Sequence, residues 1–201
     1  MKKSTILLSL LFFIINVLGI FIYFSLNVKL YIKYSEPSQI TSWNITDLQN
    51  IYSFLQNKSD LNSHFTALEI GHMQDVKKIF SIVHYIFIAS LTLFIIIILY
   101  LIYSHQYNQI LKWLFIWSIV SLSLMLLLLI STILDFTSTF QSFHKIFFPQ
   151  WNRTFGEESR LITLFPESFF IAISQNIFIT ISAISTAIIS IYFIIKKISH
   201  H

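Results

Sequence analysis

The hydrophobic residues of this chain are gathered into four long runs, at about 4–24, 79–103, 111–134 and 169–195. Apart from Lys112, near the start of the third run, these runs contain no charged side chain. Each is long enough for a helix to cross a bilayer, which takes about 20 residues. A membrane-spanning strand would alternate apolar and polar positions, and these runs do not. The pattern predicts an all-α integral membrane protein with four transmembrane helices, forming a single membrane domain over residues 1–201.

The composition supports this class of protein and excludes several kinds of chemistry. The 201 residues are 55% hydrophobic and only 11% charged, whereas soluble domains carry about a quarter charged residues. The chain has no cysteine, which excludes disulfides, thiolate metal sites and a cysteine nucleophile. The basic residues are scattered, so we expect no nucleic-acid partner. Spans almost free of ionisable groups disfavour an ion pump or a proton-coupled transporter.

The distribution of charge between the runs predicts their orientation. The short segments at both termini carry Lys2, Lys3, Lys196 and Lys197, Lys112 lies at the start of the third run, and no acidic residue accompanies them. All nine acidic residues fall in two longer loops, at about 27–78 and 135–168. Because positive charge close to helix ends favours the cytoplasm, both termini are predicted inside and both loops outside. The first run lacks a clean cleavage site and is expected to remain as an uncleaved anchor.

The first loop contains a pattern typical of a short helix. Thr46 is followed three residues later by Gln49, as in a capping box that begins a helix. Leu48, Ile51, Tyr52 and Leu55 then recur at helical spacing. This amphipathic helix has three possible places: on the outer leaflet, as a cap on the bundle of spans, or packed against its own loop.

Two histidines in the outer loops are the candidates for chemistry. His72 and Asp75 are three residues apart, so on a helix the carboxylate would orient the imidazole and raise its basicity. His144 lies in an apolar and aromatic stretch just after the third run. His64 has no obvious partner in the sequence. No histidine spacing indicates a metal site, and no cofactor is expected.

The motifs around these histidines resemble those of a known family. The strings His72-Met73-Gln74-Asp75-Val76-Lys77 and Phe143-His144-Lys145-Ile146-Phe147-Phe148, followed by Trp151 and by Leu164-Phe165-Pro166-Glu167, are similar to the signatures of the lipoprotein intramolecular transacylase family, Lit. Members are small four-helix membrane proteins of Gram-positive bacteria. The segment after Trp151 departs from the family in having fewer Asp and more Arg and Glu.

The resemblance implies a reaction on bacterial lipoproteins. Lit-like enzymes move the sn-2 acyl chain of an S-diacylglyceryl cysteine to the α-amino group of the same cysteine, which gives the lyso-form. The expected partners are therefore diacylglyceryl-modified lipoproteins and membrane lipid, with the site facing the extracytoplasmic side of the cell membrane. The sequence does not indicate an oligomeric state.

The same resemblance assigns roles to particular residues. His72 is the expected base, Asp75 orients it, and His144 stabilises the oxyanion or protonates the leaving oxygen, although the two histidines can exchange roles. Lys77, Trp151 and Glu167 are expected substrate-binding residues. Two other classes stay open on the residues alone: a non-catalytic membrane scaffold or sensor, and a bis-histidine haem protein.

Overall fold

The computed structural model describes residues 3–34, 42–62, 64–105, 107–148, 155–156 and 158–198, and every regular element in them is an α-helix. The helices are α1 (Lys3–Ser25), α2 (Val28–Tyr34), α3 (Ser42–Leu55), α4 (Ala67–Tyr103), α5 (Tyr107–Leu134), α6 (Phe136–Phe147), α7 (Arg160–Leu164) and α8 (Glu167–Ile198). Four of them are long and apolar enough to cross a membrane: α1, α4, α5 and α8. The prediction of an all-α protein with four candidate spans is confirmed.

The helix α4 extends well beyond its apolar run. It begins at Ala67, twelve residues before the predicted span, and has 37 residues. Its uncharged part, residues 79–103, rises about 37 Å at 1.5 Å per residue, which is enough for a hydrocarbon core of about 30 Å. The first three turns, which carry Glu69, Asp75, Lys77 and Lys78, therefore lie outside the segment that crosses the membrane.

The chain forms two compact units. One unit contains Met1–Ile22, Val83–Ile130 and Asn176–His201. Its core includes Leu8 and Leu11 of α1 against Ile97 and Leu101 of α4. At Gly19 an added Cβ would lie 3.0 Å from the ring of Phe87, so glycine permits the close approach of α1 to α4.

The second unit contains Tyr23–Ile82 and Ser131–Gln175 and includes both candidate histidines. Its core is formed by apolar residues of α3, α4, α7 and the segment that precedes α4: Ile51, Phe54, Phe65, Met73, Leu161 and Leu164. The segments that the sequence predicted as outer loops are thus largely helical within the described residues.

The predicted amphipathic helix of the first loop is present as α3, but its start was wrong. α3 begins at Ser42, so Thr46 lies inside the helix and is not its N-cap. Leu48, Ile51 and Tyr52 are all less than 5% exposed. The structure therefore excludes the outer leaflet for this face and packs it within the protein, because a helix lying on lipid would leave these side chains accessible.

Candidate functional site

The two candidate histidines lie side by side. His72 is in the second turn of α4 and is 9% exposed. His144 is in the last turn of α6, a helix that begins at the N-cap Asp135, whose carboxylate accepts a hydrogen bond from the backbone N–H of Ser138. The centroids of the two imidazole rings are 5.8 Å apart and their planes differ by 14°. Residues 72 positions apart in sequence therefore form one pair.

Aromatic rings surround this pair. The ring of Phe148 lies 5.0 Å from that of His72 and 5.1 Å from that of His144. Phe155 is 5.4 Å from His72, and Phe140 is 4.5 Å from His144. Phe148 is itself buried. The imidazoles thus sit in a largely apolar enclosure, where a charge is costly.

The enclosure lowers the pKa of both imidazoles. Burial, assisted by the neighbouring His144 and opposed by Asp75, lowers the pKa of His72 to about 4. Burial also lowers the pKa of His144. Both rings are therefore neutral at pH 7, so each offers one N–H donor and one nitrogen acceptor. Nδ1 of His144 is buried and has no hydrogen-bond partner among the residues that the structure describes.

The other predicted site residues have different surroundings and do not all contact the histidine pair. Asp75 follows His72 by three residues on α4 and acts on it electrostatically. The Lys77 ammonium lies 4.1 Å from the centroid of the Phe54 ring, a cation–π contact that links α4 to α3. Glu167 begins α8 and accepts a hydrogen bond of 3.1 Å from the Thr137 hydroxyl. Trp151 lies outside the described residues.

A buried carboxylate that the sequence analysis missed connects three segments of the second unit. Asp47 of α3 is 1% exposed and accepts hydrogen bonds from Asn62 Nδ2 at 3.1 Å and from Nε of Arg160. His64, for which the sequence shows no obvious partner, has its Nδ1 2.9 Å from Asp47 Oδ1. Burial raises the pKa of Asp47, but hydrogen bonds from His64, Asn62 and Arg160 outweigh it and hold the pKa below its usual value. Nothing in the local sequence indicates this pairing.

A second buried carboxylate, Glu69, holds α7 against the start of α4. It is 2% exposed, and its Oε1 accepts hydrogen bonds from the Ser159 hydroxyl at 2.7 Å and from the Leu161 N–H at 3.1 Å. Its Oε2 accepts bonds from the N–H and hydroxyl of Thr66, at 2.8 and 2.9 Å. Burial raises the pKa of Glu69, but these hydrogen bonds outweigh it and lower the pKa.

The sequence did contain a signal for Glu69. Thr66 and Glu69 have the spacing of a capping box, and the Glu69 N–H donates to the Thr66 hydroxyl at 3.3 Å. Thr66 directly precedes α4, so this box marks the true start of the helix. Because Glu69 and His72 are three residues apart, the same box fixes the turn of α4 that carries His72.

The fold and the site together define a class: a multi-pass membrane protein with a pair of neutral histidines in an apolar enclosure of its second unit. The family model described as lipoprotein intramolecular transacylase Lit matches residues 3–170. The chain therefore belongs to the Lit family, and the resemblance seen in its histidine motifs is confirmed. It is an enzyme, a transferase of the kind that carries out transacylation on lipoproteins.

Solved structures share this fold. The in meso structure of the membrane-integral lipoprotein intramolecular transacylase Lit from Bacillus cereus has 20% sequence identity and a TM-score of 0.79, with 98% of this chain and 97% of that chain covered. Structures of the same protein with a histidine-to-arginine and a histidine-to-alanine mutation give TM-scores of 0.73 and 0.74 at 20% identity. These cover 98% of this chain and 92% and 94% of those chains. No curated protein sequence matches this chain.

Proposed function

We propose that this protein converts the S-diacylglyceryl cysteine at the N-terminus of a lipoprotein into the N-acyl, S-monoacylglyceryl form, on the extracytoplasmic side of the membrane. The sn-2 acyl chain moves to the α-amino group of the same cysteine. The observation that carries this proposal is the pair of neutral imidazoles 5.8 Å apart in an apolar enclosure. Such a pair is suited to moving one proton during acyl transfer, and it requires neither a metal nor an enzyme nucleophile.

The reaction is balanced without a co-reactant. The neutral α-amine attacks the ester carbonyl, and a carbon–nitrogen bond forms. The nitrogen loses a proton, the carbon–oxygen bond to glycerol breaks, and the glycerol oxygen gains a proton. An amide replaces an ester in the same molecule. Because nucleophile and ester are already joined, holding them in the right orientation supplies much of the rate enhancement.

One histidine transfers the proton, and the other stabilises the negative charge that develops on the ester carbonyl oxygen. His72 accepts the proton from nitrogen, because Asp75 favours its protonated form, and then delivers it to the leaving oxygen. A neutral His144 donates an N–H to the oxyanion, and its buried Nδ1 makes no other hydrogen bond among the described residues. The roles can be exchanged without changing the product. Lys77, Trp151 and Glu167 are proposed to contact the headgroup or the peptide.

The direct test uses a synthetic diacylglyceryl peptide with different chains, palmitoyl at sn-1 and oleoyl at sn-2. Substrate and product are isomers of equal mass, so they must be separated by tandem mass spectrometry after mild alkaline hydrolysis, which removes esters and leaves amides. The purified protein should yield the N-oleoyl peptide. An N-palmitoyl product, or oleoyl transfer to an added isotope-labelled peptide, would contradict the proposal.

Substitution of the histidines tests the site in the same assay. His72→Ala and His144→Ala should each reduce the rate by at least 100-fold, and the double variant should be little worse, since groups that act together are strongly non-additive. His105→Ala, an exposed residue between α4 and α5, is the matched control and should stay near the wild-type rate. Near-normal activity of well-folded His72→Ala or His144→Ala would disprove the assignment.

Asp75→Asn separates the two possible role assignments. If His72 accepts the proton, loss of the carboxylate should weaken it as a base and lower kcat. If His144 is the acceptor, kcat should be unchanged. A wild-type kcat in this variant would therefore identify His144 as the base.

A further inference from the structure

The helix α6, which carries His144, has an apolar edge that the protein does not cover. Phe143, Ile146 and Phe147 are 45%, 73% and 46% exposed, and none of the residues of α6 is buried. The opposite side of the helix is polar and exposed, with Gln141, Ser142 and Lys145. In water, this helix would leave three large hydrophobic side chains exposed to solvent.

The connection between α5 and α6 turns the chain sharply. Ser131 of α5 and Thr139 of α6 have hydroxyl oxygens 2.8 Å apart, whereas residues eight apart in a straight helix are separated by about 12 Å along its axis. The bend falls at Asp135, the single residue between the two helices. α6 therefore does not continue in the direction of the membrane span that precedes it.

Two further contacts fix α6 at the end of another span. The Thr137 hydroxyl donates to Glu167, the first residue of α8, and the ring of Phe140 lies 4.9 Å from that of Phe170. The apolar run of α5 ends at Leu134, which is 80% exposed, as expected for a side chain in contact with lipid. α6 thus lies at the level where one span ends and another begins.

We propose that α6 is a membrane-surface helix whose exposed edge, Phe143, Ile146 and Phe147, inserts among the acyl chains of the bilayer. The occupant of this edge is lipid, because α6 begins one residue after the end of a membrane span, contacts the first turn of another span and borders a polar side suited to headgroups. Lys145 on that polar side meets the lipid phosphates. The inserted edge anchors α6 at a defined depth in the interface.

This placement has a consequence for the reaction that rests on the proposed function. His144 lies on the enclosed face of this short helix, and its ring is 6.4 Å from that of Phe143 on the exposed edge. Anchoring the edge in lipid therefore sets the depth of the histidine pair. That depth selects an ester located at the boundary between headgroups and acyl chains, as in a membrane-embedded diacylglyceryl group.

Depth is measurable by spin labelling, because the chain has no native cysteine. A nitroxide attached to Ile146→Cys is compared with one on Gln141→Cys, its control on the polar side, in vesicles of phosphatidylglycerol and phosphatidylcholine. Collision with oxygen, which concentrates in lipid, and with a water-soluble nickel chelate is measured. The label at 146 should collide more often with oxygen, and the label at 141 should collide more often with the nickel chelate. A label at Phe147→Cys should behave as at 146.

Two results would overturn the proposal. Equal nickel exposure of the labels at 146 and 141 would place the edge in water. Protection of the 146 label from both reagents, with broadening of its spectrum by a second label, would place a second copy of the chain on the edge. Because the measurement does not depend on activity, failure of the proposed transacylation leaves it interpretable.

Discussion

At the scale of single residues, the chemistry depends on keeping two imidazoles uncharged while they are in contact. Each ring loses solvation through burial, and protonation of His144 disfavours protonation of His72. Protonation of both rings at once is therefore disfavoured. A neutral pair can accept a proton from the attacking amine at one ring and donate a hydrogen bond from the other.

These lowered pKa values predict the pH dependence of the reaction. An unperturbed histidine would lose its base function below about pH 6.5. Since a lowered pKa keeps the neutral form populated at lower pH, the fall in activity caused by protonation of His72 should instead occur near pH 4. The substrate amine, whose ordinary pKa is about 7.7–8.0, should titrate well above the pKa of His72.

The measurement is the slope of log kcat/KM against pH. From about pH 5 to 7 the slope should stay near one, for the substrate amine alone. A slope of two over this range would mean that a histidine titrates near its ordinary value, contrary to its burial. Phe155→Ser, which opens the enclosure beside His72, should raise the pKa of His72. The loss of activity caused by protonation of His72 should then begin at a higher pH than in the wild type.

At the scale of elements, the two amphipathic helices α3 and α6 differ in whether the protein covers their apolar faces. The apolar face of α3 is buried in the second unit, and that of α6 is partly exposed. Helical periodicity alone does not distinguish them, because it identifies the apolar face and not what covers it. The structure distinguishes them through Asp47 and its partners, which bind α3 to the segment before α4 and to α7, and through the bend at Asp135.

The anchoring of α7 by Glu69 predicts a loss of stability on a conservative change. Glu69→Gln keeps one acceptor oxygen but places an amide N–H₂ against donors, leaving buried donors unpaired at a cost of about 1–3 kcal/mol. The Tm of the purified protein should fall by several degrees. Ser159→Ala removes only one of the four bonds and should cost about 1 kcal/mol.

The control for this comparison is Ser142→Ala. Ser142 is exposed on α6 and bonds only its own helix, to the Ser138 carbonyl, so its loss should change stability by less than about 0.5 kcal/mol. A Glu69→Gln variant as stable as the wild type would mean that the carboxylate is not what holds α7 in place.

At the scale of the whole molecule, the distribution of charge predicts the orientation in the membrane. The charged residues of the short segments are all lysines, whereas the two longer loops hold all nine acidic residues together with eight basic ones, so both termini are predicted to be cytoplasmic. Single cysteines in place of the exposed Ser59 and Ser142 should react with an impermeant thiol reagent on intact cells. One at the exposed His105 should react only after permeabilisation. Labelling at His105 alone would invert the orientation.

Much of the architecture follows directly from the order of residues. A backbone in lipid must satisfy its hydrogen bonds within each segment, so four long apolar runs determine four helices and a membrane location. The capping box of Thr66 and Glu69 is likewise a local pattern that fixes where α4 begins. Such features are predictable because the interacting groups are within one or two helical turns of each other.

The site itself was decided by the tertiary structure. The sequence marked His72 and His144 as candidates, but their stacking, their enclosure by Phe148 and Phe155 and their lowered pKa values arise from packing. The bond between Asp47 and Arg160 joins residues 113 positions apart. No local pattern encodes such a contact, because it depends on how several helices pack together and exclude water. That exclusion of water is what keeps the imidazoles neutral.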